Sequence, residues 1–362
     1  MFVSELKLLN FRNYGEQKLK LSPSINLIVG KNGQGKTNML EAIYYSAIGK
    51  SPKTSRDSDL INWSKDRASF CVVVSKKSGT KTIETIFLRQ SKKTIRVNGV
   101  SLLKIGDLLG NVNVVFFSPD ELKLVKDAPG DRRKFLDTDI SQLNKNYFYN
   151  LTKYNKILDE RNRLLKNYNG TQTLEQTLPI WDSQLAETGS KIVFERIKFL
   201  NKLKSISKEA HNYLTNHKEE LELEYAGILG ETEDEIKQKF LQELKQVKEK
   251  DLKLGYTNVG PHRDDIKLVV NGVDIRSFGS QGQQRTVALS MKLAELEIFK
   301  EEVYEYPILL LDDVLSELDQ DRQQRLLNYC KKMQTIITTT QYDPFMFQDA
   351  NIVKIENGNV IK

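Results

Sequence analysis

The sequence predicts an α/β protein: a head of strands and helices assembled from both ends of the chain, with a mostly helical second lobe inserted between them. Three observations predict this. An apolar run over residues 24–29 leads into Gly30-Lys31-Asn32-Gly33-Gln34-Gly35-Lys36-Thr37, which meets every fixed position of G-x-x-x-x-G-K-[ST]. A second apolar run, Ile308-Leu309-Leu310-Leu311, ends in Asp312-Asp313. Between them, residues 120–253 are polar and helical in pattern.

Taken in order, Phe2–Leu9 alternates as a half-buried strand does. A helix is expected over 36–48, where Met39, Leu40, Ile43, Tyr44 and Ala47 recur at helical spacing and Gly49 and Pro52 end it. Residues 69–74, 81–88 and 94–97 read as a small antiparallel sheet with turns at Ser78-Gly79 and Asn98-Gly99. Residues 112–117 read as a buried strand closed by Ser118-Pro119. Helices are expected over 142–167, 178–216 and 233–249, punctuated by Gly170, Gly227 and Gly230. Their heptads are too imperfect for a long two-stranded coiled coil. Strand patterns return at 265–270, before an Asn271-Gly272 turn, and at 308–311 and 335–339. The expected boundaries are 1–118 with 255–362 for the head and 119–254 for the second lobe.

Composition narrows the class. Of 362 residues, 39% are hydrophobic and 28% charged, which suits a soluble globular chain. No apolar run approaches the length of a membrane span, and residues 1–10 are too mixed for a signal peptide. Cys71 and Cys330 are far apart, so reduced thiols and a cytoplasmic location are expected. His211, His217 and His262 leave little scope for a zinc site. The net charge of +7 is unevenly spread. Residues 50–104 carry 13 Lys/Arg against 4 Asp/Glu, whereas 151–254 carry 18 of each. A polyanion would match the basic segment through its phosphates; a solvated lysine-rich surface is the plainer reading.

The glycine string has a chemical logic. Gly30, Gly33 and Gly35 let the backbone curl and aim several N–H groups at one anion. Lys36 would reach the β- and γ-phosphates of ATP, Thr37 would offer its hydroxyl to Mg²⁺, and the following helix would point its positive end at the phosphates. Asp312, closing an apolar strand, can reach the metal shell, and Asp313 could polarise the attacking water. Lys36, Asp312 and Asp313 are thus the catalytic candidates, and Thr37 and Asp312 the metal ligands. The alternative is that the two acids cap a helix over 314–318.

Ser280-Gln281-Gly282-Gln283 opens a helix over 284–300 with Val287, Ala288, Met291, Ala294, Leu296 and Ile298 on its apolar side. A helix N-terminus is a second anion-binding device. One chain has one γ-phosphate to hold, so Ser280, Gly282 and Gln283 are expected to contact the nucleotide of a second copy. Read alone, the stretch is an ordinary polar cap.

Together these strings resemble the RecF family of SMC-like DNA-repair ATPases. Asn10-Phe11-Arg12-Asn13-Tyr14 resembles that family's opening, and residues 30–37 its Walker A loop. Phe117-Ser118-Pro119-Asp120, Pro129 and Arg132-Arg133-Lys134-Phe135-Leu136-Asp137 resemble the block that opens its second lobe. Thr257 with Gly260-Pro261-His262-Arg263-Asp264-Asp265 is the most family-specific string. Residues 280–283 match the signature motif, Asp312-Asp313 Walker B, and Ser316-Glu317-Leu318-Asp319 the D-loop.

The resemblance implies an ABC-type P-loop ATPase head with a mostly helical inserted second lobe. The nucleotide contacts it implies are Arg12, the whole loop from Gly30 through Lys31, Asn32, Gly33, Gln34, Gly35 and Lys36 to Thr37, and Ser280, Gly282 and Gln283. It implies ATP and Mg²⁺ as cofactors, homodimerisation on ATP, slow DNA-dependent hydrolysis, and binding of single- and double-stranded DNA at gap junctions. It further implies a role in replication, recombinational repair and the SOS response, with RecO and RecR helping to place RecA, and no membrane.

Two departures stand out. Thr338-Thr339-Thr340-Gln341 occupies the place of the switch histidine of cassette ATPases, and the second Walker B acid is Asp313 rather than Glu. Both suit a slow switch better than a motor. His262 reads as a turn cap or as a base, Arg263 as a phosphate or interlobe contact, and Arg132 and Arg133 as DNA grips or as partners of Asp131 and Asp137. A transporter ATPase subunit, an SMC-like scaffold and a small-molecule kinase are the readings from other classes. The long insertion and the 260–265 string argue against the first, the lack of sustained heptads against the second, and the signature helix against the third.

Overall fold

Half-buried strands build the first sheet. In the computed structural model, which describes residues 1–167 and 172–361, burial alternates along Phe2–Leu9, Arg67–Lys76 and Gly79–Leu88. These pair antiparallel within a six-stranded sheet ordered 16–20, 2–9, 67–76, 79–88, 91–97, 100–101. Its inner face sends Val3, Leu6, Leu8, Phe70, Val72, Ile83 and Phe87 into one core with Met39, Ile43 and Tyr45 of the helix Lys36–Ile48. Tyr45 meets Phe87 edge-on at 5.2 Å, and Phe11 meets Phe70 at 5.6 Å, so aromatic edges lock helix to sheet.

The second sheet runs 359–361, 351–356, 25–29, 335–339, 308–312, 114–117. All neighbours are parallel except the terminal pair 351–356 and 359–361. Ile308–Asp312 and Thr335–Thr339 are buried at every position, as strands covered on both faces must be. Thr338 is in register with Ile28 on one side and Asp312 on the other, so a single strand separates the glycine loop from the acidic pair. Both lie at the carboxyl edge of the sheet, where open α/β sheets bind ligands.

Packing divides the chain into residues 1–121 with 292–362, and 122–291. Residues 255–291, expected with the head, cluster with the insertion. The insertion carries the helices Pro129–Leu143, Lys145–Lys166, Gln172–Thr215, Glu233–Gln246 and Lys248–Leu254. The helix expected over 142–167 is cut at Asn144, whose side chain accepts from the N–H groups of Asn146 and Tyr147 and starts a new helix. The expected break at Gly170 lies outside the described residues. A three-stranded sheet, ordered 273–274, 265–270, 221–226, adds a β element to a lobe read as helical. Leu221, Leu223 and Tyr225 do alternate, but their partner strand lies far along the sequence.

Three fully buried arginines fasten this unit around residues 257–265. Arg161 pairs with Asp182 at 2.7 Å and Asp251 at 2.8 Å, and donates to the Thr257 hydroxyl. Arg196 pairs with Asp137 at 2.8 Å and donates to the Pro261 carbonyl at 2.6 Å. Arg132 forks onto Asp265 at 2.6 and 3.0 Å. Neither expected role of Arg132 survives: it is 1% exposed, and its carboxylate partner is Asp265 rather than Asp131 or Asp137, the latter pairing with Arg196. Arg133 donates to the Asp264 carbonyl at 2.7 Å. Nδ1 of His262 lies 2.7 Å from the Tyr154 hydroxyl and Nε2 lies 3.1 Å from the Thr257 carbonyl. Burial pulls its pKa down to about 4, so it is a neutral strut rather than a base poised at neutral pH. Arg263 also donates to the Thr257 carbonyl and stacks over Tyr256. No described helix is long and apolar enough to cross a membrane.

Candidate nucleotide site

The loop after Ile25–Val29 is tied down before any ligand is considered. Gly30 N–H donates to the Thr339 carbonyl, and a Cβ on Gly30 would fall 2.5 Å from the Ile355 carbonyl oxygen. Gly35 has φ 109°, and a Cβ there would lie 2.6 Å from the Asn13 side chain and 2.8 Å from the Tyr14 hydroxyl. The approach is close because these residues brace the loop. The Tyr14 hydroxyl donates to the Gly35 carbonyl at 2.9 Å, and Asn13 Nδ2 donates to the Gln34 carbonyl at 2.9 Å. Asn38 Nδ2 in turn donates to Asn13 Oδ1 at 2.8 Å, and the Asn357 N–H bonds the Gln34 side chain. Asn13 and Tyr14 stand out in the sequence only by family likeness; nothing local reveals a brace that forms across the fold.

Arg12, expected at the nucleotide, is held within the protein. Its guanidinium forks onto Glu41 at 2.7 and 2.7 Å and donates to the Asp59 carbonyl at 3.0 Å. Glu41 is fully buried and also accepts from the Ser51 hydroxyl. Arg12 thereby joins the turn before the loop to the segment after the helix.

Lys36 Nζ donates to the carbonyls of Gly30 at 2.6 Å and Lys31 at 3.1 Å, so its ammonium is folded into the loop. Burial lowers its pKa, opposed by the charges of Asp313 and Asp312. The Thr37 hydroxyl donates to Asp312 Oδ1 at 2.8 Å, and the Thr338 hydroxyl donates to the same oxygen at 2.8 Å. Lys53 Nζ stands 3.7 Å from Asp312 Oδ2. Lys53 was not singled out from the sequence, and Thr338 only as part of the string in the place of a switch histidine. Asp313 takes φ 56°, with its N–H on the Thr338 carbonyl and hydroxyl at 3.2 and 3.1 Å. Its Oδ1 is buried and accepts no hydrogen bond among the described residues. Burial raises its carboxyl pKa, which Lys36 opposes and Asp312 reinforces.

The two acids cap no helix: Leu315–Glu317 is a short 3₁₀ turn, and Asp319 caps Gln320–Cys330 by accepting from the Arg322 N–H. Among the described residues no three His, Cys, Asp or Glu side chains converge as a metal cage. A hydroxyl and a carboxylate oxygen side by side, next to a phosphate loop, fit Mg²⁺, which takes one or two protein oxygens plus phosphates and waters.

In residues 122–291, Ser280 and Gln283 form a reciprocal cap. Ser280 Oγ accepts from the Gln283 N–H at 3.2 Å, while Gln283 Oε1 accepts from the Ser280 N–H at 3.0 Å. Gln283 Nε2 donates to Glu219 Oε1 at 2.9 Å, so a side chain outside the motif holds the amide. The helix runs Gln281–Val303, starting earlier than expected. Ser280 remains exposed, and the nearest atom to a Cβ on Gly282 is the Ser280 hydroxyl at 3.9 Å, which leaves the helix end open.

The family model described as the RecF/RecN/SMC N-terminal domain matches residues 2–360. The chain is 46% identical to the DNA replication and repair protein RecF of Clostridium tetani over the full length of both. It is 44% identical to that of Clostridium perfringens, with 99% of each covered. A solved structure of the recombination mediator protein RecF-ATPrS in the RecFOR pathway matches with TM-score 0.91 and 39% identity, covering 99% of this chain and 97% of the other. The Smc head domain of Pyrococcus furiosus shares the fold alone, at TM-score 0.58 and 17% identity.

Proposed function

The chain belongs to the RecF/RecN/SMC N-terminal-domain family, on its RecF branch, and from that premise we propose that it is an ATP-operated clamp of DNA repair. The observation that carries the reading is the 2.8 Å hydrogen bond from Thr37 to Asp312, which joins two motifs 275 residues apart into one oxygen-lined site beside Lys36.

The loop N–H groups receive the β- and γ-phosphates of ATP, and Lys36 exchanges the carbonyls of Gly30 and Lys31 for phosphate oxygens. Thr37 and Asp312 would hold Mg²⁺, which when bound supplies neutralisation of charge on the phosphates. Asp313 orients a water through its unengaged oxygen and takes a proton from it as the water oxygen bonds to the γ-phosphorus. The bond from that phosphorus to the bridging oxygen breaks, and ADP leaves with the electron pair. The cradle of Gly30, Lys31, Asn32, Gly33, Gln34, Gly35, Lys36 and Thr37 in one copy and Ser280, Gly282 and Gln283 of a second copy share the γ-phosphate. Hydrolysis removes that shared ligand and shifts the population toward monomers.

Turnover is slow, because Asp313 is shorter than Glu and Thr338-Thr339-Thr340-Gln341 stands where a switch histidine would. The basic segment 50–104 supports DNA as the clamped polyanion. Gapped DNA, with RecO and RecR as partners in placing RecA, is the expected setting in the cytoplasm. Sedimentation velocity with a slowly hydrolysed ATP analogue tests the core of this. The wild-type chain dimerises, Lys36→Ala loses nucleotide and dimer, and Ser280→Arg keeps nucleotide but stays monomeric. Undiminished dimers of Ser280→Arg would overturn the shared-phosphate reading.

A further inference from the structure

Trp63 is 95% exposed, although indoles are highly buried on average. The turn beneath it is firmly held. Arg89 Nε donates to the Lys65 carbonyl at 2.8 Å, and Nη2 donates to the carbonyls of Asn62 and Trp63 at 3.1 Å each. Asn62 Oδ1 accepts from the Ser64 N–H at 3.2 Å and from its hydroxyl at 3.0 Å. The Lys65 N–H returns to the Asn62 carbonyl, and the Asn62 N–H reaches the Asn10 carbonyl. A guanidinium thus gathers three carbonyls on the inner side of the turn while the ring stands out in solvent. A large rigid ring presented this way costs little entropy to engage.

Two cations, Lys65 and Arg67, follow it closely in the chain. Arg67 pairs across strands with Leu88, and Leu88 with Ser91, which brings Lys92 to the same end of the sheet. Lys65, Arg67 and Lys92 have no ion-pair partner among the described residues. The one acid in the turn, Asp66, stands 3.7 Å from Arg89 Nε, whose charge it offsets. An indole among unpaired cations matches an unpaired base on a phosphate chain: the ring face stacks on the base and the ammonium and guanidinium groups meet phosphates. An apolar protein pocket would gain nothing from the cations.

We infer that Trp63 is a base-stacking post for single-stranded nucleic acid, with Lys65, Arg67 and Lys92 as its phosphate contacts. This rests on the DNA-binding reading above and adds to it where an unpaired base sits. Every base has a stacking face, so the post is indifferent to sequence.

The chain has two tryptophans, Trp63 and Trp181. Trp181→Phe therefore leaves Trp63 as the sole indole reporter in the full-length protein. The probes are a short oligothymidylate, an abasic deoxyribose-phosphate oligomer of equal length and a blunt duplex. Oligothymidylate quenches Trp63 fluorescence and the abasic oligomer does not. Trp63→Ala weakens oligothymidylate binding roughly tenfold without changing the slope of log affinity against log salt, and Trp63→Phe retains most of the affinity. Lys65→Gln lowers that slope by about one for either oligomer. Melting temperature and nucleotide affinity stay at wild-type values in the Trp63 and Lys65 variants, because those side chains are exposed. Wild-type oligothymidylate affinity in Trp63→Ala, or equal quenching by the abasic oligomer, would overturn the inference and leave DNA binding intact. Failure of the wild-type chain to bind any of the three probes would remove the DNA-binding reading, and this inference with it.

Discussion

Replacing Asp312 by Asn separates what this residue does for the fold from what it does for the metal. One carboxylate oxygen accepts hydroxyl protons from Thr37 and Thr338, both at 2.8 Å. The amide oxygen of Asn can accept both, so neither hydroxyl is orphaned. Each bond loses its charge assistance, falling from about 1.5–3 to about 0.5–1.5 kcal/mol. Two bonds weaken together, for a loss of about 2–3 kcal/mol. The contact with Lys53 adds little to this, since it is 3.7 Å long and the lysine is 44% exposed. Urea unfolding in metal-free, nucleotide-free buffer reads the structural loss as a lowered midpoint with an unchanged slope. Titration of a fluorescent ATP analogue with and without Mg²⁺ reads the metal loss: Mg²⁺ tightens binding to the wild-type chain and leaves Asp312→Asn unaffected. A variant that unfolds at the wild-type midpoint and keeps its Mg²⁺-dependent tightening would refute the reasoning.

Three further outcomes are expected. Asp313→Asn slows single-turnover hydrolysis by about a hundredfold or more while ATP-loaded dimers persist. Burial raises the Asp313 carboxyl, so wild-type hydrolysis rises with pH through a value displaced upward from that of an ordinary Asp, and the variant's residual rate lacks that rise. The same shift means that folding stability from this group is present below the unfolded carboxylate pKa and is lost as pH rises through the folded one. Gly35→Ala forces a side chain into φ 109° against Asn13 and Tyr14, at about 1–3 kcal/mol, and weakens ATP binding at least tenfold by calorimetry; Gly33→Ala, with open space around its Cβ, is milder. Arg161→Ala strands Asp182 and the fully buried Asp251, lowering stability in urea by about 3–5 kcal/mol with nucleotide affinity of the head unchanged.

Local chemistry was legible in the sequence where it repeats locally. The helix Lys36–Ile48, its Gly49 cap and the hairpins at Gly79 and Gly99 follow from spacing and turn residues within a few positions. The α/β class followed from the two apolar runs, which become the strands Ile25–Val29 and Ile308–Asp312 of the mostly parallel second sheet. What the sequence hid depends on distant partners. Leu221–Ala226 becomes a strand only against Asp265–Val270, and Asn144 divides a helix through a side-chain cap within a continuous polar stretch. At the site, Lys36, Thr37 and Asp312 were legible because their chemistry is fixed by residue type. Tyr14, Asn13 and Thr338 were not, because a hydroxyl or amide declares its partner only once the chain has folded. Arg12, a nucleotide contact implied by family likeness, also has a partner the sequence hid: its guanidinium forks onto the buried Glu41.

The strand order carries a temporal consequence. Ile25–Val29 lies between Thr335–Thr339 and Asn351–Glu356, both translated long after it. A nascent polypeptide therefore emerges from the ribosome with its glycine loop lacking both flanking strands, while residues 122–291 can already settle into a unit of their own. Competence for nucleotide arrives only once residues 335–356 have been translated, and a product of premature termination near residue 330 would carry the entire loop yet never assemble it.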